Sequence, residues 1–247
     1  MNIENTINPA CPWYDMHQQF GPGNVKWCEE RLCAFVNEPA NAWSNMLFIV
    51  VGLFLIYLGL KAKHSSLKQF NYLFGLIVIF MGFASFAWHA TNNYATQVLD
   101  FVGMYFYIYF LMCLSLYQFK LISVRTGFFI FSLCVFISTG LILISQKLPF
   151  PYQIIIVLAA SIVAALQVRG WMTNRNYPKR DLLWCLGFFV VAAGFSYADI
   201  SRLFCDPSNH FIQGHAIWHV CCAVGTWFSY LVFSKQYQSR SDQEWRL

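Results

Sequence analysis

Apolar and polar residues fall along this chain in long blocks rather than at a helix or strand period. Seven apolar runs occupy roughly 44–61, 69–89, 97–119, 127–145, 150–168, 182–204 and 212–233. Each is close to the ~20 residues that cross a hydrocarbon core. Lipid offers no water to bond an unpaired backbone group, so runs of this length must be helices. The pattern therefore predicts an all-α integral membrane protein, a bundle of seven transmembrane helices over 44–233. The fifth run is the weakest, short and bounded by Pro149 and Pro151. Residues 1–43 are polar and broken by Pro9, Pro12, Gly21-Pro22-Gly23 and Pro39, which exclude a long helix. They are rich in Trp, Cys and acids, and read as an ordered extramembrane cap. No basic stretch precedes an apolar one at the start, so no cleavable signal peptide is expected. Residues 234–247 form a polar tail.

Composition agrees with the blocks. Apolar residues make up 58% of the 247, aromatics 19% and charged residues 11%, against about 25% charged in soluble domains. In a soluble chain the net charge of +5 would suggest a nucleic-acid partner. Here loop asymmetry accounts for it better. With seven spans, alternate loops share a side, and twelve of the sixteen basic residues fall on one of them. Lys26, Arg31, Lys147 and Arg202 are on the other. The positive-inside rule then puts the N-terminus in a non-cytoplasmic space (periplasm, lumen or exterior) and the C-terminus in the cytoplasm.

That topology gathers the intramembrane polar residues. The second span ends on Ser85-Phe-Ala-Trp-His89, the third carries Asp100 near its start, the sixth carries Asp199 near its end, and the seventh opens on His215 and His219. All lie at one depth in the non-cytoplasmic leaflet, where ionisable groups are costly and functional by default. His215 and His219 project from one helix face, one turn apart, and two imidazoles held so can grip one metal ion. Interfacial histidines capping a helix account for that pair alone equally well. With His89, three neutral imidazoles and a carboxylate suit zinc, with one position left for water. Ser85 shares the helix face of His89. Asp199 is expected either to pair with Arg202 one turn on or to bond a histidine behind the metal. His17, His64 and His210 fall in loops and are expected to be solvated. Met104, Tyr105, Tyr107, Tyr109 and Met112 lie below Asp100, where they fit either a lipid cavity or ordinary packing.

Together these residues carry a resemblance. Ser85-x-x-x-His89, Asp100 eleven residues later and His215-x-x-x-His219 resemble the alkaline ceramidases. That family is part of a superfamily of seven-helix membrane hydrolases that includes the adiponectin-receptor-like proteins. Trp27-Cys28-Glu29-Glu30 is similar to the family's W-C-E-E element. Glu38-Pro-Ala-Asn-Ala-Trp-Ser-Asn45 is similar to its entry to the first span. The resemblance implies a zinc-dependent intramembrane amidase that releases a fatty acid and a sphingoid base from ceramide-like lipids. His89, His215 and His219 would ligate Zn²⁺. Asp100 would hold a water on that ion and serve as general base, then as proton donor. Ser85 would bond the substrate carbonyl. A hydrolase of another N-acyl lipid, and a zinc-containing seven-helix lipid receptor without turnover, stay open as alternatives. A proton-coupled transporter is disfavoured, because the spans hold no ionisable path beyond the site.

The cap departs from the family. Eukaryotic members have a calcium site around W-C-E-E, for which Trp27, Glu29 and Glu38 are the candidates here. Lys26 stands where the family has Asp, and Arg31 where it has Asn. Calcium takes 6–8 oxygens, so two added cations argue against Ca²⁺ and suggest that Lys26 or Arg31 supplies the charge instead. An exposed Glu–Arg cluster of no consequence is the alternative. Among nine cysteines, Cys113, Cys134, Cys185, Cys221 and Cys222 lie in spans as packed thiols. Cys11, Cys28, Cys33 and Cys205 share the non-cytoplasmic face, an even number compatible with disulfides. The resemblance implies Cys28–Cys205, leaving Cys11 with Cys33, although sequence alone does not settle connectivity.

Overall fold

The computed structural model describes residues 8–144 and 153–244, with side chains as far as Tyr237. Pro149, Pro151, Lys147 and Arg246 lie outside the described residues. Among those described there are nine helices and no strand. Two short helices, α1 (Tyr14–Phe20) and α2 (Pro39–Ser44), precede seven long ones: α3 (Met46–Lys61), α4 (Ser65–Thr91), α5 (Tyr94–Gln118), α6 (Val124–Leu143), α7 (Ile154–Thr173), α8 (Lys179–Ile200) and α9 (Gly214–Glu244).

Among the described residues seven helices are long and apolar enough to cross a membrane, and the chain is an integral multi-pass membrane protein. Two of the bounds that differ from the apolar runs have a local cause. The first span begins at Pro39, because α2 leads into α3 through Asn45, whose backbone is helical. The sixth ends at Ile200, because Arg202 turns into the left-handed region at φ 60. The seventh helix continues beyond 233 to Glu244.

α5 lies at the centre, packed against α4, α6, α7 and α9. α6 shows Phe128, Phe129 and Phe136 on its outer face. Lipid tails are as apolar as Leu, so helices associate by close approach and by polar pairing instead. Gly52 of α3 and Gly75 of α4 provide the first: a Cβ on Gly52 would lie 2.7 Å from the Gly75 carbonyl oxygen. Buried hydroxyls provide the second. Tyr107 meets Ser229 Oγ at 2.7 Å, Tyr109 meets Ser138 Oγ at 2.6 Å, and Tyr230 donates to Asn71 at 3.0 Å. Tyr107 and Tyr109 therefore serve interhelical packing. At the end of the bundle away from the cap, Gln167 donates to Ser115 and accepts from Tyr177 and Gln236, while Lys235 pairs with Asp181.

The cap is ordered and tied to the bundle. Both Cys11–Cys33 and Cys28–Cys205 are bonded, and the five intraspan cysteines are free. Gly23 N–H donates to Asn92 O, and Tyr94 N–H to Gly21 O, at the α4–α5 turn. Asn92 and Asn93 make that turn. Asn92 takes the left-handed conformation (φ 55) that ends α4, a role Asn tolerates, and Asn93 caps α5 by accepting from Thr96 N–H at 3.1 Å. So short a connection holds the end of α4 and the start of α5 at one depth.

Candidate metal centre

His89 comes from the last turn of α4, Ser85 from the turn before it, Asp100 from the second turn of α5, and His215 and His219 from the first turns of α9. All five are buried. The three imidazoles converge, with ring centroids 4.4 to 5.1 Å apart. One nitrogen from each lies within 4.8 Å of the others.

Hydrogen bonds decide which nitrogen two of the rings offer. His89 Nδ1 lies 2.7 Å from Glu38 Oε2. A carboxylate only accepts, so the proton is on Nδ1 and the Nε2 lone pair faces the cluster. His219 Nδ1 lies 2.8 Å from Ser44 Oγ, whose one proton is given to Asn41 O at 2.9 Å. The hydroxyl must then accept from Nδ1–H, and His219 Nε2 is a bare acceptor, with no partner among the described residues. His215 Nε2 is 3.2 Å from His89 Nε2. Two nitrogens bound tetrahedrally to one zinc lie about 3.3 Å apart. The donors thus suit zinc in type, with His89 and His219 in the right tautomer and the His89–His215 pair at the right spacing.

Beside the triad, Ser85 and Asp100 are neighbours, with the hydroxyl in reach of the carboxylate. Asp199 does not pair with Arg202. Its Oδ1 accepts from Cys28 N–H at 2.7 Å and its Oδ2 from His215 N–H at 2.9 Å, while Arg202 turns its guanidinium to Cys205 Sγ. The carboxylate therefore holds backbone rather than an imidazole ring.

Trp27, Glu29 and Glu38 each have partners within the protein. Glu29 caps α2, accepting from Ala40 and Asn41 N–H at 2.9 Å each, and it also meets His210 Nδ1 at 3.0 Å. Burial pushes its carboxyl above the ordinary range, against the pull of these donors. Glu38 bonds His89, Asn41 and Arg31, the last at 3.4 Å. Burial alone would raise its carboxyl, but the bond from His89, followed by the charge of Arg31, holds it below the ordinary value. Arg31 is therefore a cation beside Glu38. Trp27 lies face to face with His215.

A model of the ceramidase family matches residues 22–246. Mouse (Mus musculus) alkaline ceramidase 3 is 26% identical over 240 residues, covering 90% of this chain and 87% of the mouse protein. The chain belongs to the ceramidase family. It is a hydrolase acting on amide bonds. The match takes in the cap from Pro22 onward together with the bundle.

Two loop histidines expected to be solvated are not. His17 is buried on α1 with Nε2 2.9 Å from Thr91 O. His210 is half-buried against Glu29 and Glu30. His64 is exposed. Ser44, Asn41 and Trp218 also support the site, and no spacing in the sequence marks them for it. Ser44 lies inside the Glu38–Asn45 motif, but the partner of a hydroxyl cannot be read from one sequence.

The Glu38–His89 bond yields a prediction. A carboxylate behind a ligating imidazole fixes its tautomer and raises its basicity, and losing it typically costs about 10–100-fold in metal affinity. Glu38→Ala should weaken zinc binding by about that much, measured by chelator competition, with Glu38→Gln losing less because its amide oxygen still accepts from Nδ1–H.

Proposed function

We propose that this chain hydrolyses the N-acyl bond of ceramide-like sphingolipids, giving a fatty acid and a sphingoid base, with Zn²⁺ held by His89, His215 and His219. The observation that carries the reading is the meeting of three imidazole nitrogens, two of them locked as acceptors, beside the Ser85–Asp100 pair. The similarity to a protein named alkaline ceramidase 3 supports ceramide as the substrate class. Both disulfides and the excess of basic residues at the opposite end support a site in the non-cytoplasmic leaflet, with the N-terminus on that side. On this reading residues 1–43 are the extramembrane cap of a catalytic bundle over 44–233.

When bound, zinc supplies Lewis acidity, polarising a carbonyl oxygen and making water acidic enough to attack near neutral pH. Asp100 takes the proton of the attacking water and returns it to the leaving nitrogen. Ser85 has a single O–H. While that proton is donated to the Asp100 carboxylate, it is withheld from substrate. Once Asp100 carries a proton the bond reverses: Asp100 donates to Ser85 Oγ, and the hydroxyl turns to the oxygen where negative charge develops. The donor is thereby released in the step that needs it.

The test is a panel of N-acyl lipids (ceramides, N-acylethanolamines, N-acyl amino acids) incubated with detergent-purified protein, reading released fatty acid with and without a chelator. Chelator-sensitive release from ceramide is expected. Release from another class alone would reassign the substrate. About one zinc per chain with no release from any of them would favour a lipid receptor.

A further inference from the structure

Two of the three imidazoles are oriented by hydrogen bonds, His89 by Glu38 and His219 by Ser44. His215 is not. Its Nδ1 is buried with no hydrogen-bond partner among the described residues. The ring instead lies between two indoles. Trp27 stacks on one face with centroids 3.4 Å apart and planes 15° from parallel, and Trp218 on the other at 4.8 Å and 10°. Rotation of an imidazole about its last torsion is broad and soft. Flat walls on both faces restrict it as a hydrogen bond would.

Trp218 reaches His215 from one turn further along the same helix, so its place follows from the helix itself. Trp27 comes from the cap and has to be held. The residue after it, Cys28, is fixed twice, by the disulfide to Cys205 and by its N–H bond to Asp199 Oδ1. The other oxygen of the same carboxylate accepts from His215 N–H. One buried side chain thus ties down the backbone beside Trp27 and the backbone of the histidine on which Trp27 stacks. Gly214 makes room for it. A Cβ there would lie 3.0 Å from Asp199 Cβ and 3.2 Å from Oδ2.

We infer that Trp27 is a positioning residue for His215, setting the plane of that imidazole by face stacking where its companions use hydrogen bonds, and that Asp199 is the clamp that keeps the two in register. The inference rests on the reading that the triad holds a metal, and its test separates the two. The cap is then part of the metal site rather than a cover over it.

The experiment uses full-length, detergent-purified protein, stripped of metal and reloaded with Zn²⁺ or Co²⁺. Chelator competition gives the zinc dissociation constant, the cobalt absorption spectrum reports ligand geometry, and thermal unfolding reports stability. Trp27→Leu keeps an apolar side chain but removes the flat face. It should raise the zinc dissociation constant about 10–100-fold, the usual range for a support lost from behind a ligand, and alter the cobalt spectrum. Trp27→Phe should recover most of the loss. Asp199→Asn places an amide N–H against one of two backbone N–H groups, and it should shift affinity in the same direction with Trp27 intact. If Trp27→Leu and Asp199→Asn lower the unfolding temperature while zinc affinity and the cobalt spectrum stay as in the parent, Trp27 only packs and the inference is overturned. If Trp27→Leu does not fold, Asp199→Asn and the rescue by Phe decide it. A parent protein that takes up no metal would overturn the metal-site reading itself.

Discussion

Asp100→Asn should retain about one zinc per chain and lose about 10²–10⁴-fold in turnover, the range associated with a positioned general acid–base. Asn is nearly isosteric, and its Oδ1 can still accept from Ser85, so packing at this buried position is conserved. What it lacks is the capacity to take a proton. It also cannot perform the reversal that frees the Ser85 hydroxyl, because an amide oxygen never becomes a donor. Ser85→Ala should therefore cost much less in the Asp100→Asn background than in the parent, since two residues acting as one unit are non-additive. Released fatty acid and bound zinc, measured on the same preparations, check both statements. Turnover near the parent level in Asp100→Asn would remove that residue from the chemistry.

The parts of this site that were legible in the sequence are those that depend on spacing and depth. An i, i+4 histidine pair needs only a helix, and the common depth of Ser85, His89, Asp100, His215 and His219 needs only the count of spans. The supporting contacts depend on how the cap folds back, and no spacing encodes that. Glu38 reaches His89 because Asn37 and Glu38 N–H bond the carbonyls of Ala90 and His89, laying the start of α2 against the end of α4. Ser44 reaches His219 because α2 continues the first span beyond its apolar run and so passes α9. Asp199 and Arg202 stand three apart and would meet on a continuous helix. The helix ends between them, and Arg202 turns away with a left-handed backbone. Solvation of His17 and His210 was inferred from loop position alone. Their burial follows from the cap closing over the α4–α5 turn and from the Cys28–Cys205 staple that draws the α8–α9 loop towards Glu29.

A groove of about 590 Å³ on the flank of the bundle is lined by Pro39, Ala40, Trp43 and Ser44 of α2, His210–Gln213 of the loop and Ala216, Ile217 and Val220 of α9. Ser44 lines it and bonds His219 through Nδ1. The groove therefore backs onto the side of the imidazole that faces away from the other two ligands. Asp100 and Ser85 do not line it.

His219→Ala should leave less than about one tenth of the parent's zinc and lower turnover by at least about 10³-fold, as expected when the several kcal/mol of charge stabilisation from the ion are lost. His219 Nε2 is the most exclusively committed of the ligand nitrogens. It is buried, it is fixed as an acceptor by the Ser44 bond on the other side of its ring, and it bonds no protein group among the described residues. Removing it leaves two imidazoles, too few to close a zinc site around the position kept for water. Ala is the best helix former, so α9 should persist, and unchanged elution on size exclusion with both disulfides intact would separate loss of the ligand from loss of the fold. His210→Ala is the matched control. It removes a half-buried histidine from the same face of the protein, one that bonds Glu29 rather than the triad, and its zinc content should remain near one per chain. Equal loss of metal from both variants would mean that zinc uptake follows the cap rather than the triad. Full zinc in His219→Ala would show that the three nitrogens do not share an ion.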